Sequence, residues 1–165
     1  SNELRVDAAA EIAEALVSDG EMVRLTLDVG AALPVQQLRG AVDVCSLDLS
    51  SLRLGALSAM VIARLLEENT TLTKLDLSDN DLTAKAGAAI ARALKRNRTL
   101  TTLDLSDNDL LMAEGGKAIA SALHSNTTLT SLDLAGNHLG SEAEEELRQI
   151  ADSRAWRRST LRIEL

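Results

Sequence analysis

The sequence of 165 residues contains no phenylalanine or tyrosine and only one tryptophan, so its core cannot be built around aromatic rings. The chain is nevertheless 45% hydrophobic, with leucine and alanine as the common apolar residues. It is long enough for one domain with a substantial core. Small aliphatic side chains must therefore fill that core, which requires many similar contacts repeated along the chain.

Cysteine and long apolar runs are also scarce. The single cysteine, Cys45, cannot form an internal disulfide, and the absence of a cysteine framework favours a reducing compartment. No stretch approaches eighteen consecutive apolar residues, and the N-terminal residues lack the basic region, apolar stretch and cleavage site of a secretory signal. We therefore expect a cytoplasmic protein without membrane contact.

Positive charge is in the minority, because 17 lysines and arginines face 25 aspartates and glutamates and give a net charge of −8. Surfaces for nucleic acids or anionic membranes need clustered lysine and arginine, so neither partner is expected. A protein partner with a basic surface is easier to accommodate.

An eleven-residue pattern recurs along the chain: Leu72–Leu82 reads LTKLDLSDNDL, Leu100–Leu110 reads LTTLDLSDNDL and Leu129–Leu139 reads LTSLDLAGNHL. The spacing between copies is constant to within one residue, and Val44–Leu54 (VCSLDLSSLRL) continues it toward the N-terminus. Self-similarity at a fixed period predicts stacked units, each of which buries its apolar face against its neighbours.

A second regularity extends the repeat to the ends of the chain, because in five units an apolar helical residue precedes the first strand leucine by nine positions. The pairs are Leu16 and Leu25, Leu38 and Leu47, Leu66 and Leu75, Leu94 and Leu103, and Leu123 and Leu132. This spacing predicts strands at about 24–28, 46–50, 74–78, 102–106 and 131–135, with a shortened second unit that contains Pro34. In Leu161–Leu165 apolar and polar residues alternate, and Leu161 follows Leu132 at the repeat distance. This segment is therefore predicted to form a sixth strand.

Between the strands the apolar residues follow a helical period, as in Ala86, Ala89, Ile90, Ala93 and Leu94. Alternating strands and helices predict an α/β fold, a right-handed solenoid with a parallel sheet of about six strands on the concave side and helices on the convex side. We expect a single domain that comprises a capping helix (1–20), an irregular repeat (21–43), regular repeats (44–152) and a capping strand (153–165).

At these residues the chain resembles the ribonuclease-inhibitor-like subfamily of leucine-rich-repeat proteins, whose units read L-x-x-L-x-L-x-x-N-x-L before a helix. The resemblance covers residues 44–139 well and implies a solenoid. It implies little about function, since the family includes enzyme inhibitors, innate-immune sensors, actin-capping tropomodulins and activators of Ran-type GTPases. Function on a shared fold must be argued from a site.

In a strand of this family the leucines point into the core, so Lys74, Asp76 and Ser78 are expected on the concave side. Stacking of the units predicts a column made of Thr26, Asp48, Asp76, Asp104, Asp133 and Arg162, beside a second one made of Asp28, Ser50, Ser78, Ser106, Ala135 and Glu164. Neighbouring carboxylates about 4.8 Å apart would repel by on the order of 0.8 kcal/mol in water.

Two interpretations of the aspartate column remain open. A partner's lysine or arginine would relieve the repulsion, or each aspartate simply accepts hydrogen bonds from nearby hydroxyls or water. A metal site is disfavoured because the carboxylates form one flat ladder without histidine or cysteine, whereas calcium needs six to eight surrounding oxygens. No cofactor is expected.

The asparagines of the repeat are expected to be structural. Asn80, Asn108 and Asn137 should bond the backbone of neighbouring units, and Leu52 in the equivalent position should make its turn irregular. A further set should close the helices in the left-handed conformation: Asn69, Asn97 and Asn126. Each of these also matches a glycosylation pattern, which the repeat itself explains.

The remaining charged groups are a basic set on one helix (Lys85, Arg92, Lys95, Arg96 and Arg98) and an acidic set on another (Glu142, Glu144, Glu145 and Glu146). They are typical of solvated helix faces, or they mark a docking surface. Trp156 lies among arginines, a combination enriched at binding hot spots, but the favoured role of this side chain is to close the open end of the last core.

No catalytic constellation is present, because His124 and His138 lie isolated in different units and Gly115 and Gly116 lack the lysine of a phosphate loop. The sequence therefore favours a monomeric, non-enzymatic protein-binding scaffold that uses its concave face. The alternatives are a regulator of a GTPase or of actin assembly, or a fragment of a larger leucine-rich-repeat sensor.

Overall fold

The computed structural model describes residues 11–12, 14–15, 24–27, 32–108, 112–156 and 161–165, with the backbone alone for residues 154–156. In chain order the elements are β1 (Arg24–Leu25), β2 (Leu33–Pro34), α1 (Val35–Leu38), β3 (Ser46–Asp48), α2 (Ala56–Leu66), β4 (Lys74–Asp76), α3 (Ala84–Arg96), β5 (Thr102–Asp104), α4 (Met112–Leu123), β6 (Ser131–Asp133), α5 (Ser141–Trp156) and β7 (Arg162–Glu164).

Five strands, β3 to β7, form one parallel sheet in chain order, with one helix between each consecutive pair. Their middle residues stand opposite one another and belong to the core or pack against it: Leu47, Leu75, Leu103, Leu132 and Ile163. The predicted α/β repeat fold is confirmed. Strands of consecutive repeats are hydrogen-bonded neighbours, so each unit is completed only by the next one.

The first predicted strand does not join this sheet. Residues 24–25 pair antiparallel with residues 33–34, so β1 and β2 form a separate two-stranded sheet among the described residues. The prediction of six parallel strands is therefore wrong at this end. The shortened second unit contains only the four-residue α1, whereas α2 to α5 have 11 to 16 residues.

The last strand is parallel to β6 as predicted, but its register differs by two residues. Ile163, not Leu161, stands opposite Leu132, which places Glu164 opposite Asp133 and Arg162 opposite Ser131. The cause is α5, which has 16 residues and is longer than the earlier helices. The carboxylate column therefore ends in Glu164, and the prediction of Arg162 in that position is wrong.

The core is aliphatic throughout, as the absence of aromatic residues requires. Leu72, Leu75 and Leu77 of one unit are at most 2% exposed, and α3 contributes the predicted alanines together with Ile90 and Leu94. At the two ends of the chain, residues 11–12 and 14–15 are helical and α5 continues to residue 156. The rest of the expected capping helix lies outside the described residues.

Candidate functional site

The sheet places one row of acidic side chains on the side opposite the core. In each strand the middle residue packs inward, so the two flanking residues project outward. The parallel register aligns the last residues of the strands: Asp48, Asp76, Asp104, Asp133 and Glu164. We call these five side chains the carboxylate face.

The first three aspartates are each fixed by the serine two residues later. Asp76 Oδ1 accepts the backbone N–H of Ser78 at 2.9 Å and its hydroxyl at 2.6 Å. Asp48 and Asp104 make the same pair of bonds with their own serines, at 3.0 and 2.7 Å and at 2.9 and 2.6 Å. The expected hydroxyl bonds are thus present, yet Oδ2 of each aspartate accepts none from the described residues and remains open to a partner.

The fourth aspartate lacks this support because Ala135 replaces the serine. Asp133 Oδ1 accepts only the Ala135 N–H, at 3.0 Å. Burial raises the pKa of the Asp133 carboxyl, the Ala135 bond opposes that effect, and the neighbouring charges of Asp104, Glu164 and Asp107 raise the pKa further. Asp133 is therefore a position on the carboxylate face where negative charge is poorly compensated.

The opposite end of the row behaves differently. The backbone N–H of Ser50, and then its hydroxyl, lower the pKa of Asp48, which is exposed to solvent. The two hydrogen bonds favour the ionised form there, and solvent carries much of the charge. The carboxylate face is thus continuous in geometry but graded in electrostatics from Asp48 to Asp133.

The neighbouring row, formed by the first residues of the strands, carries the cations of this surface. Lys74 is exposed and stands in register with Ser46 and Thr102, as expected from the alternation of the strand. Arg162 forms an ion pair with Glu164, which reduces the negative charge at the last strand. The carboxylates of this face without an ion-pair partner among the described residues are therefore those of the four aspartates.

Two further aspartates extend the acidic surface beyond the strand ends, and the sequence analysis missed them. Asp79 and Asp107 both adopt positive φ values, 52° and 53°. Ser51 precedes them in the same row and donates its hydroxyl to Asp79 Oδ2 at 2.6 Å, whereas Gly136 follows them. The repeated Ser-Asp-Asn sequence was the signal for this row, since aspartate and asparagine tolerate the left-handed conformation.

Three asparagines hold the turns beneath this surface: Asn80, Asn108 and Asn137. The side-chain nitrogen of Asn80 donates to three backbone carbonyls, including Leu49 of the preceding unit at 2.9 Å. Its oxygen accepts the N–H groups of Leu52 and Leu54, also in the preceding unit, at 3.1 and 2.9 Å. The other two each donate to three carbonyls as well, which accords with the predicted structural role.

A second asparagine ladder lies at the helix ends: Asn69, Asn97 and Asn126, all at most 2% exposed. Asn97 has φ −62° and ψ 138°, so the expected left-handed closure is wrong. Its nitrogen donates to the carbonyls of Leu66 and Asn69 at 2.8 and 3.0 Å, and its oxygen accepts N–H groups of Thr99 and Leu100. A buried amide with these bonds presents no nitrogen for glycosylation.

Comparison with known proteins agrees with this architecture. The family described as Leucine Rich repeat matches residues 68–91, 96–120 and 125–143. Residues 68–143 therefore contain leucine-rich repeats. A search of curated protein sequences finds no match. Among solved structures, "Leiomodin-1 Actin-Binding Site 2 (ABS2)" is similar, with a TM-score of 0.64 and 26% sequence identity over 90% of this chain and 92% of that chain.

Trp156 is the remaining candidate binding residue of these leucine-rich repeats. Residue 156 ends α5, and its side chain lies outside the described part of the structure. Within the described residues, no group of three or more histidine, cysteine or acidic side chains is arranged to hold a metal ion. In the same part of the chain, no helix has the length and apolar character needed to span a bilayer.

Proposed function

We propose that this chain is a non-enzymatic protein-binding module whose carboxylate face contacts a basic segment of its partner. The observation that carries this proposal is the alignment of Asp48, Asp76, Asp104 and Asp133 on one side of the sheet, each with Oδ1 fixed and Oδ2 open among the described residues. Neighbouring like charges on strands about 4.8 Å apart repel one another, and a lysine or arginine placed between two of them would relieve that repulsion.

The rigidity of this surface supports the same function. Both asparagine ladders tie each unit to its neighbour through buried amides, so the aspartates have fixed spacing before any partner arrives. A surface that is already ordered loses little conformational entropy on binding. The reducing environment expected from the lone Cys45 makes the cytoplasm the proposed compartment.

Actin is the partner that we propose to test first. The structural similarity to a leiomodin segment whose name states that it is an actin-binding site extends over nine-tenths of both chains. The sequence resemblance to a family that includes actin-capping tropomodulins leads to the same partner. Regulation of actin assembly is thus the more specific form of the proposal.

The test removes charge while it keeps the fold. A variant with Asp48→Asn, Asp76→Asn and Asp104→Asn retains a side-chain oxygen that can accept the serine bonds. Co-sedimentation with actin filaments should show roughly tenfold weaker binding than for the wild type, since three solvent-accessible ion pairs contribute a few tenths to about 1 kcal/mol each. Pyrene-actin assembly measured in parallel reports whether binding affects polymerisation.

A matched control changes net charge by the same amount on the helices. Glu114→Gln, Glu145→Gln and Asp152→Asn replace three exposed carboxylates of α4 and α5. This variant should bind actin like the wild type. Equal losses in both variants would reduce the effect to net charge, and a failure of the wild type to bind actin would reject actin as the partner.

A further inference from the structure

The helix α3 carries a basic surface that the proposed function does not use. Its exposed residues repeat at three- and four-residue intervals and form one line on the outside of the helix: Lys85, Ala88, Arg92, Lys95 and Arg96. The other side of α3 is buried against the sheet and the adjoining helices. We call the five exposed residues the basic ridge.

The basic ridge differs in charge from the rest of the chain. The sequence of α3 contains four lysines and arginines and no aspartate or glutamate, in a protein with net charge −8. In contrast, α4 has one glutamate and one lysine, and α5 begins with four glutamates within six residues. Four of the 17 cations therefore lie together on one helix that carries no acidic residue.

Cations on the neighbouring helices are neutralised, but most of those on the ridge are not. Arg64 of α2 bonds Glu68 at 2.8 Å, and Lys117 of α4 bonds Glu142 at 2.7 Å. On the ridge, Arg96 pairs with Glu67 at 3.1 Å and Lys95 contacts only the Ser121 hydroxyl, at 3.2 Å. Lys85 and Arg92 form no ion pair with any residue that the structure describes.

From this charge pattern we infer that the basic ridge is a second docking surface, which binds an acidic segment of a partner protein. The ridge spans eleven residue steps of helix, a length of about 16 Å. A short segment with carboxylates on one side could pair with Lys85, Arg92 and Lys95 at once. The small side chain of Ala88 leaves room for that segment to approach the helix.

The short length of the ridge favours an acidic protein segment over a nucleic acid or an anionic membrane. Both of those present negative charge over a wide area, which would also face the glutamates of α5 and Glu67 and Glu68 beside α2. Such charges repel over about 8 Å at physiological salt. A segment confined to the ridge is separated from the glutamates of α5 by α4, and Glu67 beside the ridge is already paired with Arg96 and Arg64.

Binding of a defined acidic peptide to the full chain tests this inference. The probe is a fluorescein-labelled helical peptide with glutamates along one face, and its counterpart carries glutamines in those positions. Fluorescence anisotropy should show binding of the glutamate peptide only, weakened by added salt. The variant Lys85→Gln, Arg92→Gln and Lys95→Gln should bind roughly tenfold more weakly. Because these side chains are exposed, its thermal unfolding should match that of the wild type.

A control variant with the same charge change, Arg53→Gln, Lys117→Gln and Arg148→Gln, should retain wild-type affinity for the peptide. Unchanged binding by the ridge variant, equal loss in the control or no peptide binding by the wild type would overturn the inference. Tighter binding of duplex DNA or of phosphatidylserine vesicles would overturn the assignment to a protein segment. Self-association that requires the ridge would overturn it in favour of a second copy of this chain.

Discussion

The region from β3 onward and the region before it have similar apolar patterns in their sequences but different strand pairing. From β3 to β7 every strand pairs with the next in parallel register, whereas β1 pairs antiparallel with β2 and lies outside that sheet. The leucines in the predicted strand positions are present in both regions. Apolar periodicity therefore does not decide where the parallel sheet begins.

We attribute the difference to the turn asparagines. Asn80 reaches back to bond the backbone of the unit that contains β3, but Leu52 occupies the equivalent position one unit earlier and cannot reach back in the same way. Among the described residues, the unit before β3 accepts no such bond from position 52, and β1 does not join the parallel sheet. The turn at Leu52 is irregular as predicted, because Arg53 beside it adopts φ 55°.

The largest effect on stability is expected when leucine replaces a turn asparagine in the regular region. Asn108→Leu would leave three carbonyls and the Leu82 N–H without their side-chain partner in a site where Asn108 is fully buried. We expect the free energy of unfolding to fall by about 3–5 kcal/mol and the melting temperature by roughly 10 °C. Urea and thermal unfolding followed by circular dichroism measure both.

The reverse substitution, Leu52→Asn, provides the comparison. We expect a change of less than about 1 kcal/mol in the free energy of unfolding, because among the described residues no strand of the parallel sheet precedes β3 to accept the new bonds. A loss below about 1 kcal/mol for Asn108→Leu would mean that the asparagines do not determine the extent of the sheet.

A smaller effect on stability is expected at Gly136, which interrupts the row of turn aspartates within the regular region. Gly136 has φ 69°, and a Cβ placed there would clash with Asp107 Oδ1, whereas at Gly140 the nearest atom would be Ala113 Cβ at 3.5 Å. Both alanine variants carry the cost of the left-handed conformation, about 1 kcal/mol, and Gly136→Ala should cost about 1 kcal/mol more because Asp107 must move. Unfolding midpoints of the two variants measure the difference.

Removing the Asp107 side chain tests whether contact with it causes the difference between the two variants. In a background that already contains Asp107→Ala, Gly136→Ala and Gly140→Ala should destabilise the chain to a similar degree. If the difference between them persists in that background, contact with Asp107 is not its cause.

The smallest effect concerns the gradient along the carboxylate face. The pKa of Asp133 is raised by burial and by neighbouring carboxylates, so the folded state binds this proton more tightly than the unfolded state. The stability that this bound proton contributes is lost as the pH rises through the pKa of Asp133 in the folded state. Asp133→Asn should therefore raise the melting temperature at pH 7 by about 1–2 °C, with no gain at acidic pH, where the carboxyl is protonated.

Asp48→Asn should do the opposite, since hydrogen bonds from Ser50 lower the pKa of Asp48. A lowered pKa contributes stability above the unfolded value and loses it as pH falls through the folded value. This variant should melt slightly below the wild type at pH 7 and approach it in acid. The same sign for both substitutions would contradict the gradient.

The sequence predicted the repeat well where identical units contact one another. The register of Leu75 on Leu103 and the alignment of Asp76 with Asp104 follow from spacing alone, because each strand repeats the contacts of the last. Spacing failed where a unit differs from its neighbours. Because α5 is longer than the earlier helices, the register of β7 is shifted by two residues, and Glu164 rather than Arg162 stands opposite Asp133. The sequence holds no second unit with a helix of this length from which the shift could be predicted.

The candidate site was predicted in outline, but its electrostatics depended on contacts between units. The substitution of Ala135 for serine was visible in the sequence, yet its consequence for Asp133 depends on the burial and the neighbouring charges that stacking creates. The buried bonds of Asn97 were also missed. A single sequence does not distinguish an asparagine that ends a helix from one that bonds the previous unit.

The most direct test of the account is zero-length carbodiimide cross-linking of the chain to actin filaments, followed by mass spectrometry. This chemistry joins carboxylates to amines that are already in contact. The carboxylate face offers carboxylates, and the basic ridge offers lysine amines. Binding through the carboxylate face should give cross-links from actin lysines to Asp48, Asp76, Asp104 or Asp133. Cross-links confined to Lys85 and Lys95, or to the glutamates of α5, would contradict it.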